Sequence, residues 1–157
     1  ELESDFDRWT RLAQENPGKI DPPILHPIER KAVQPRDYLN PQPQEPQQQI
    51  WFRATGDLGD DLCRHQTVLA FMSDFGLLGT ALLPHPHTGM DKGLQSASLD
   101  HALWFHHPFR ADEHLLYVLD SPVAAAGRGF SRGSFYTREG LLVASTAQEC
   151  LLRLHTS

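Results

Sequence analysis

Two periodicities divide the second half of the chain. Within residues 62–75, Leu62, Leu69 and Met72 recur at helical spacing beside a second stripe of Val68, Phe71 and Phe75, so the later turns are apolar around most of their circumference and belong inside a fold. Asp60-Asp61 stands where such a helix takes its N-cap and Gly76 where it stops, which predicts a helix running to about Phe75. Around it the period is two. Residues 50–54 are β-prone until Gly56 and Gly59 break them; residues 96–107 and 114–124 are longer β-prone runs. Residues 128–154 fold back on themselves at Thr137-Arg138-Glu139-Gly140, where Gly140 is free to take positive φ. In the last strand Leu142, Ala144, Thr146, Gln148, Cys150, Leu152 and Leu154 share one face, and Ser145, Glu149 and Arg153 the other. One helix against a strongly curved antiparallel sheet of about five or six strands is an α+β architecture.

Ahead of residue 50 the character differs. Eight of the 12 prolines precede residue 47, and residues 34–49 form a Pro- and Gln-rich stretch that is expected neither to pair in a sheet nor to bury a face. Before it, Phe6, Trp9 and Leu12 predict a short amphipathic helix that Pro17-Gly18 stops, and residues 28–33 predict one short strand. The expected organisation is a connector over residues 1–49 and a folded domain over 50–157.

At 157 residues, 39% of them hydrophobic, the chain supports one core and a tail. A formal charge of -6 without a basic run argues against nucleic acid or an anionic membrane as the main partner. The apolar stretches 68–72 and 77–83 are far too short to span a bilayer, and the N-terminus shows no apolar signal-peptide run, so a soluble protein is expected. Two cysteines without close spacing, Cys63 and Cys150, suit a reducing compartment.

Candidate chemistry begins with polar groups where packing gives no reason for them. Asp74 ends an apolar helix and is expected in the core, where a carboxylate needs donors or a chemical use. Gln148 lies on the apolar face of the last strand, either as a satisfied core amide or as a site residue. Ser98 shares a face, by alternation, with Asp100, Ala102 and Trp104; a lone strand serine is ordinarily structural, and spacing does not show whether these three residues meet. Imidazoles at His85, His87, His101, His106 and His107 invite a metal, but no ligand spacing fixes a tetrahedral set, and surface and core histidines account for them. Cys63 and Cys150 fall in elements expected to be buried, where a thiol is inert. Gly127, Gly129 and Gly133 read as bulges or kinks of a bent sheet.

These residues carry a resemblance. Ser73-Asp74, Leu78-Gly79-Thr80-Ala81-Leu82-Leu83-Pro84-His85, Ser98-Leu99-Asp100-His101-Ala102-Leu103-Trp104-Phe105-His106, Pro108-Phe109-Arg110-Ala111-Asp112 and Ala144-Ser145-Thr146-Ala147-Gln148-Glu149 resemble the type II, TesB-like acyl-CoA thioesterases over roughly residues 50–154. The resemblance implies a hotdog fold, a long helix wrapped by an antiparallel sheet, and here the second half of a double hotdog. Residues 1–49 then correspond to the connector between halves, and an amino-terminal hotdog or another copy of the chain is expected to cover the exposed faces. It implies a water-activating triad of Asp74, Ser98 and Gln148, acyl-CoA as substrate, and neither cofactor nor metal.

The expected reaction is hydrolysis of fatty acyl-CoA to free acid and CoA. Asp74 takes the water's proton, Ser98 and Gln148 hold the geometry, and oxyanion donors come from a helix start of the partner hotdog. The alternative is a catalytically silent acyl-CoA-binding or assembly half that needs an amino-terminal hotdog; a hydratase, a reaction hotdog folds also host, is disfavoured by the Asp, Ser and Gln set. The chain ends Leu154-His155-Thr156-Ser157 without Ser-Lys-Leu, and the expected compartment is cytoplasmic with a peroxisomal alternative.

Overall fold

The computed structural model of the chain describes residues 1–155; Thr156 and Ser157, on which the reading of the C-terminal tetrapeptide rests, lie outside the described residues. Three helices, α1 (Asp5–Glu15), α2 (Leu62–Ser73) and α3 (Leu77–Leu82), accompany seven strands: β1 (Ile28–Ala32), β2 (Gln47–Ala54), β3 (Leu94–Ser98), β4 (Ala102–Phe105), β5 (Leu115–Ala125), β6 (Arg128–Tyr136) and β7 (Leu142–Leu154). They form one antiparallel sheet in the order β1-β2-β5-β6-β7-β3, with β4 also pairing β7. The α+β arrangement is the one expected, with seven strands in place of five or six.

The core lies between the sheet's inner face and the helices. Period-two burial along β5 turns Leu115, Tyr117 and Leu119 inward, and β2 adds Ile50 and Phe52. Tyr117 and Phe135 stack with ring centroids 3.8 Å apart, and Phe52 meets both edge-on at 6.0 and 6.3 Å. Gly133, opposite Thr146 in the β6-β7 register, makes room for the Tyr117 ring: a Cβ there would stand 2.6 Å from the Tyr117 Cζ and 2.7 Å from the Thr146 hydroxyl. Gly129 likewise admits Ala81 of α3.

These glycines therefore correct the bulge reading. Gly129 and Gly133 hold regular register, and Gly127 sits in the β5-β6 turn with φ +75°. The irregularities lie instead at Ser121-Pro122 of β5, which together face Ser131 of β6 because proline lacks the N–H that a ladder needs, and at Val143 of β7, the extra residue between the Phe135-Ala144 and Tyr136-Leu142 pairs. The turn at Thr137-Gly140 is as expected, with Gly140 at φ +86°.

Two expectations about helices and linker also change. The helix ends at Ser73, and Gly76, at φ +97°, reverses the chain into α3 instead of ending helical structure altogether. A Cβ on Gly76 would lie 3.3 Å from Ile50, so the break presses closely on β2. The Pro/Gln-rich stretch does enter the sheet: Gln47, Gln48 and Gln49 pair with Asp120, Leu119 and Val118, and Arg36 donates to the carbonyls of Leu82 and His85. Pairing partners override the poor strand propensity of that segment. Cys63 is exposed, since it stands in the first turn of α2 facing away from the sheet; Cys150 is buried, and burial pushes its thiol pKa up.

The loop between β2 and α2 is tied to the segment before β5 by an Arg110-Asp112 pair. Arg110 donates to Asp112 at 3.0 and 2.8 Å, and the Leu58 N–H donates to the same carboxylate at 2.9 Å. Buried His65 accepts from the Ala111 N–H at 3.0 Å and its other ring nitrogen donates to the Gly59 carbonyl at 2.9 Å. Among the described residues no helix is long and apolar enough to cross a membrane.

Gly133→Ala is expected to destabilise the chain by about 1–3 kcal/mol through overpacking against Tyr117, read as a lower urea midpoint; an unchanged midpoint contradicts this packing. Burial pushes the Asp112 carboxyl up, but Arg110 and the Leu58 N–H outweigh it and hold it below the usual aspartate range. A group lowered in the folded state stabilises above its unfolded pKa, about 3.9, and that contribution disappears as pH falls through the folded value. Asp112→Asn is therefore expected to lower the urea midpoint at neutral pH, with the gap from wild type closing only below about pH 4.

Candidate active site

β7 carries the site, because it pairs on one side with β6 and on the other with two short strands in succession. Ser98 of β3 faces Cys150, and Ala102 of β4 faces Ala147. Three residues, Leu99, Asp100 and His101, thus oppose two, Gln148 and Glu149, which is a one-residue bulge. The bulge is held by one backbone and one side-chain bond: the Leu99 N–H donates to the Glu149 carbonyl at 2.9 Å, and the Glu149 N–H to Asp100 Oδ1 at 2.7 Å. An extra residue inverts side-chain parity, so Ser98 does not share a face with Ala102 and Trp104 as continuous alternation predicts. Ser98 lies on the face of Cys150, Leu103 turns inward towards the core, and Trp104 is 52% exposed.

The three candidate residues meet across this bulge. Ser98 Oγ lies 3.4 Å from Asp74 Oδ1, and Gln148 Nε2 donates to Ser98 Oγ at 2.8 Å. Gln148 is 1% exposed, as the strand pattern predicts. Asp74 is exposed, which corrects the expectation of a core carboxylate: it caps the C-terminus of α2 at the break before Gly76 and so stands on the rim beside β3. The cost of burying an unpartnered charge does not arise.

Strand and helix patterns left His101 and Ser73 unassigned. His101 Nδ1 is 2.7 Å from Gln148 Oε1, and His101 Nε2 is 2.7 Å from Ser73 Oγ. The signal for His101 lay in its place two residues after Asp100's neighbour Leu99, inside the bulge, and no periodicity marks a bulge. Ser73 is itself anchored from below, where buried Tyr117 donates to the Ser73 carbonyl at 2.9 Å and Thr146 Oγ1 lies 2.7 Å from the same phenol oxygen. Burial raises the Tyr117 pKa well above the ordinary phenol value, with the Asp74 charge adding to the rise against the Thr146 bond, so the phenol keeps its proton for that carbonyl.

The other histidines go elsewhere. His87 Nδ1 pairs with Asp91 at 2.8 Å and His106 Nε2 with Ser145 Oγ at 2.8 Å; among the described residues no group of three His, Cys, Asp or Glu side chains is placed to hold a metal ion. Leu99, next to Ser98 in the chain, is an exposed apolar side chain at 50%.

Chemically, the set joins an accessible carboxylate to a hydroxyl whose other side is fixed by a buried amide. That arrangement can orient one water against a base without a covalent nucleophile.

A family model described as acyl-CoA thioesterase matches residues 16–151. The chain is 46% identical over 129 residues to acyl-coenzyme A thioesterase 8 of Mus musculus, covering 82% of this chain and 40% of that protein. It is 38% identical over 107 residues to acyl-CoA thioesterase 2 of Haemophilus influenzae, covering 68% and 37%. The crystal structure of acyl-CoA thioesterase II TesB2 from Mycobacterium marinum superposes with a TM-score of 0.70 at 42% identity, over 87% of this chain and 56% of that one. The E. coli PaaI protein, at 13% identity and a TM-score of 0.56 over 71% and 76% of the two chains, shares the fold alone. The fold is the α+β hotdog, and the chain spans about two fifths of the length of the curated relatives it matches.

Tyr117→Phe removes the donor to the Ser73 carbonyl and is expected to cost about 1–3 kcal/mol. Denaturant unfolding at neutral pH measures it, and a cost near zero would show that the carbonyl does not depend on the phenol.

Proposed function

The chain belongs to the acyl-CoA thioesterase family, and on that premise we propose that it supplies the hydrolytic half of an enzyme that cleaves fatty acyl-CoA to free acid and CoA. The observation that carries this reading is the joining of Asp74, Ser98 and Gln148, from a helix end and two strands, by hydrogen bonds at the rim of the sheet. A thioester carbonyl is electrophilic because sulfur donates poorly into it, and CoA thiolate is a competent leaving group. A water held against a carboxylate base therefore suffices. Asp74 accepts the proton as the water oxygen bonds to the carbonyl carbon, the carbonyl electrons move to oxygen, and their return breaks the C–S bond. CoA leaves as thiolate, and the proton held by Asp74 passes to it or to solvent. General-base assistance of this kind is worth about 10²–10⁴ in rate.

Coverage of the site belongs to the same proposal. With Asp74, Ser98 and the adjoining Leu99 exposed, a second hotdog, an amino-terminal half or another copy, would close the site, exclude water from the acyl chain and bring oxyanion donors. Residues 1–49 would connect the halves while β1 extends the sheet. The openness of the site also favours a second reading, in which this half binds acyl-CoA or assembles without turning it over.

Release of free thiol from a panel of acyl-CoA thioesters, by the chain alone and mixed with an amino-terminal hotdog half, separates the two. The hydrolytic reading expects Asp74→Asn to lower kcat by about 10²–10⁴ while binding of a non-hydrolysable thioether analogue persists. Equal turnover by wild type and variant would sink the role of Asp74. Analogue binding with no turnover in either arrangement would support the binding half.

A further inference from the structure

We propose that His101, held by Ser73, is a positioning residue: it fixes which end of the Gln148 amide faces Ser98 and thereby aims the Ser98 hydroxyl at Asp74. The inference rests on the hydrolytic reading for the task of Asp74, and otherwise on donor arithmetic along five linked groups.

An ionised carboxylate only accepts. With Ser98 Oγ at 3.4 Å from Asp74 Oδ1, the single Ser98 proton belongs on that side, so Ser98 Oγ must accept from Gln148. Gln148 therefore presents Nε2–H to Ser98 at 2.8 Å and turns Oε1 to His101 Nδ1 at 2.7 Å. An amide oxygen cannot donate, so Nδ1 carries the proton. In the neutral ring Nε2 then holds a lone pair, and Ser73 Oγ, 2.7 Å away, turns its one proton to it and away from the Ala70 carbonyl at 2.8 Å. Each link runs one way, from Ser73 through His101, Gln148 and Ser98 to Asp74, and such chains polarise one another towards the charge at their end.

The reverse orientation is also complete within itself. Ser98 would donate to Gln148 Oε1, Gln148 Nε2 would donate to a bare His101 Nδ1, and His101 Nε2–H would donate to Ser73, whose proton would go to the Ala70 carbonyl 2.8 Å away. That arrangement sets Ser98 lone pairs against the Asp74 carboxylate. The imidazole decides between the two, because its Nδ1 is a donor in one and an acceptor in the other.

The groups on either side are built to hold the ring still. Ser73 is gripped through its carbonyl by Tyr117, and His101 leaves the bulge that Asp100 and Leu99 pin to Glu149. Gln148 is too deeply buried to turn its amide freely. With Ser98 occupying Oδ1, the second Asp74 oxygen is left to take the water's proton.

Imidazole ¹⁵N NMR on the wild-type chain at mildly alkaline pH, where free imidazole is neutral, tests the orientation without turnover. The expected result is His101 protonated at Nδ1 and bare at Nε2; an Nε2–H tautomer overturns the proposal. Kinetics test its consequence in the arrangement that turns over. His101→Ala is expected to lower kcat about 10–100-fold, the scale on which orienting partners of reactive ligands act, with KM unchanged. His101→Asn, whose amide N–H can stand where Nδ1–H stood, is expected to recover most of the loss. Equal losses in the two variants, no loss in either, or a change confined to KM would refute it. Should Asp74→Asn turn over like wild type, the hydrolytic reading fails by itself, and the tautomer still decides whether His101 orients Gln148.

Discussion

At Gln148 and Glu149 the backbone of β7 faces three residues with two, and the site follows from that mismatch. A continuous partner strand would have carried Ser98, Asp100, Ala102 and Trp104 on one face. The extra residue instead leaves Ser98 over the buried side of β7, sends Trp104 outward, and lifts His101 out of the ladder to where its ring reaches Gln148. Asp100 stabilises the irregularity by accepting the Glu149 N–H that the interrupted pairing would otherwise leave without its ladder partner.

The helix break supplies the other side. Gly76 turns the chain in a conformation that other residues resist, close against Ile50, while Gln48 donates to the Gly76 carbonyl at 2.9 Å and to Thr80 Oγ1 at 2.6 Å. This fixes where α2 ends relative to β2. Tyr117, admitted by the missing side chain of Gly133, fixes Ser73 from below. Asp74 follows directly, so the carboxylate is positioned by the anchoring of its chain neighbours Ser73 and Gly76 as well as by its own contact with Ser98.

Much of this was legible in the residues. The helical stripes of 62–75 and the stop at Gly76 placed Asp74 at a helix end, and period two in the last strand put Gln148 inward. The family resemblance brought Ser98 to them. What stays hidden has physical causes: no glycine or proline marks Leu99-Asp100-His101 as a bulge, so alternation runs through it with the wrong parity. Burial of Asp74 was expected from apolar neighbours in sequence, whereas exposure is decided by what packs against the helix end. The glutamines at 47–49 looked unfit for a strand, yet β5 offers them a full register of partners. Gly129 and Gly133 read as kinks because the need they meet, space for Ala81 and Tyr117, comes from elements distant in the chain.

In the proposed reaction Asp74 and Gln148 act on one water as parts of a single connected unit. A double-mutant cycle on kcat/KM for thiol release, using Asp74→Asn, Gln148→Ala and the double variant in the arrangement that turns over, measures this directly. Residues acting as a unit lose function together, so the double variant is expected to be about as slow as the slower single variant. Penalties that multiply in full would mean the two residues act independently, and the account of a shared, oriented water would be wrong.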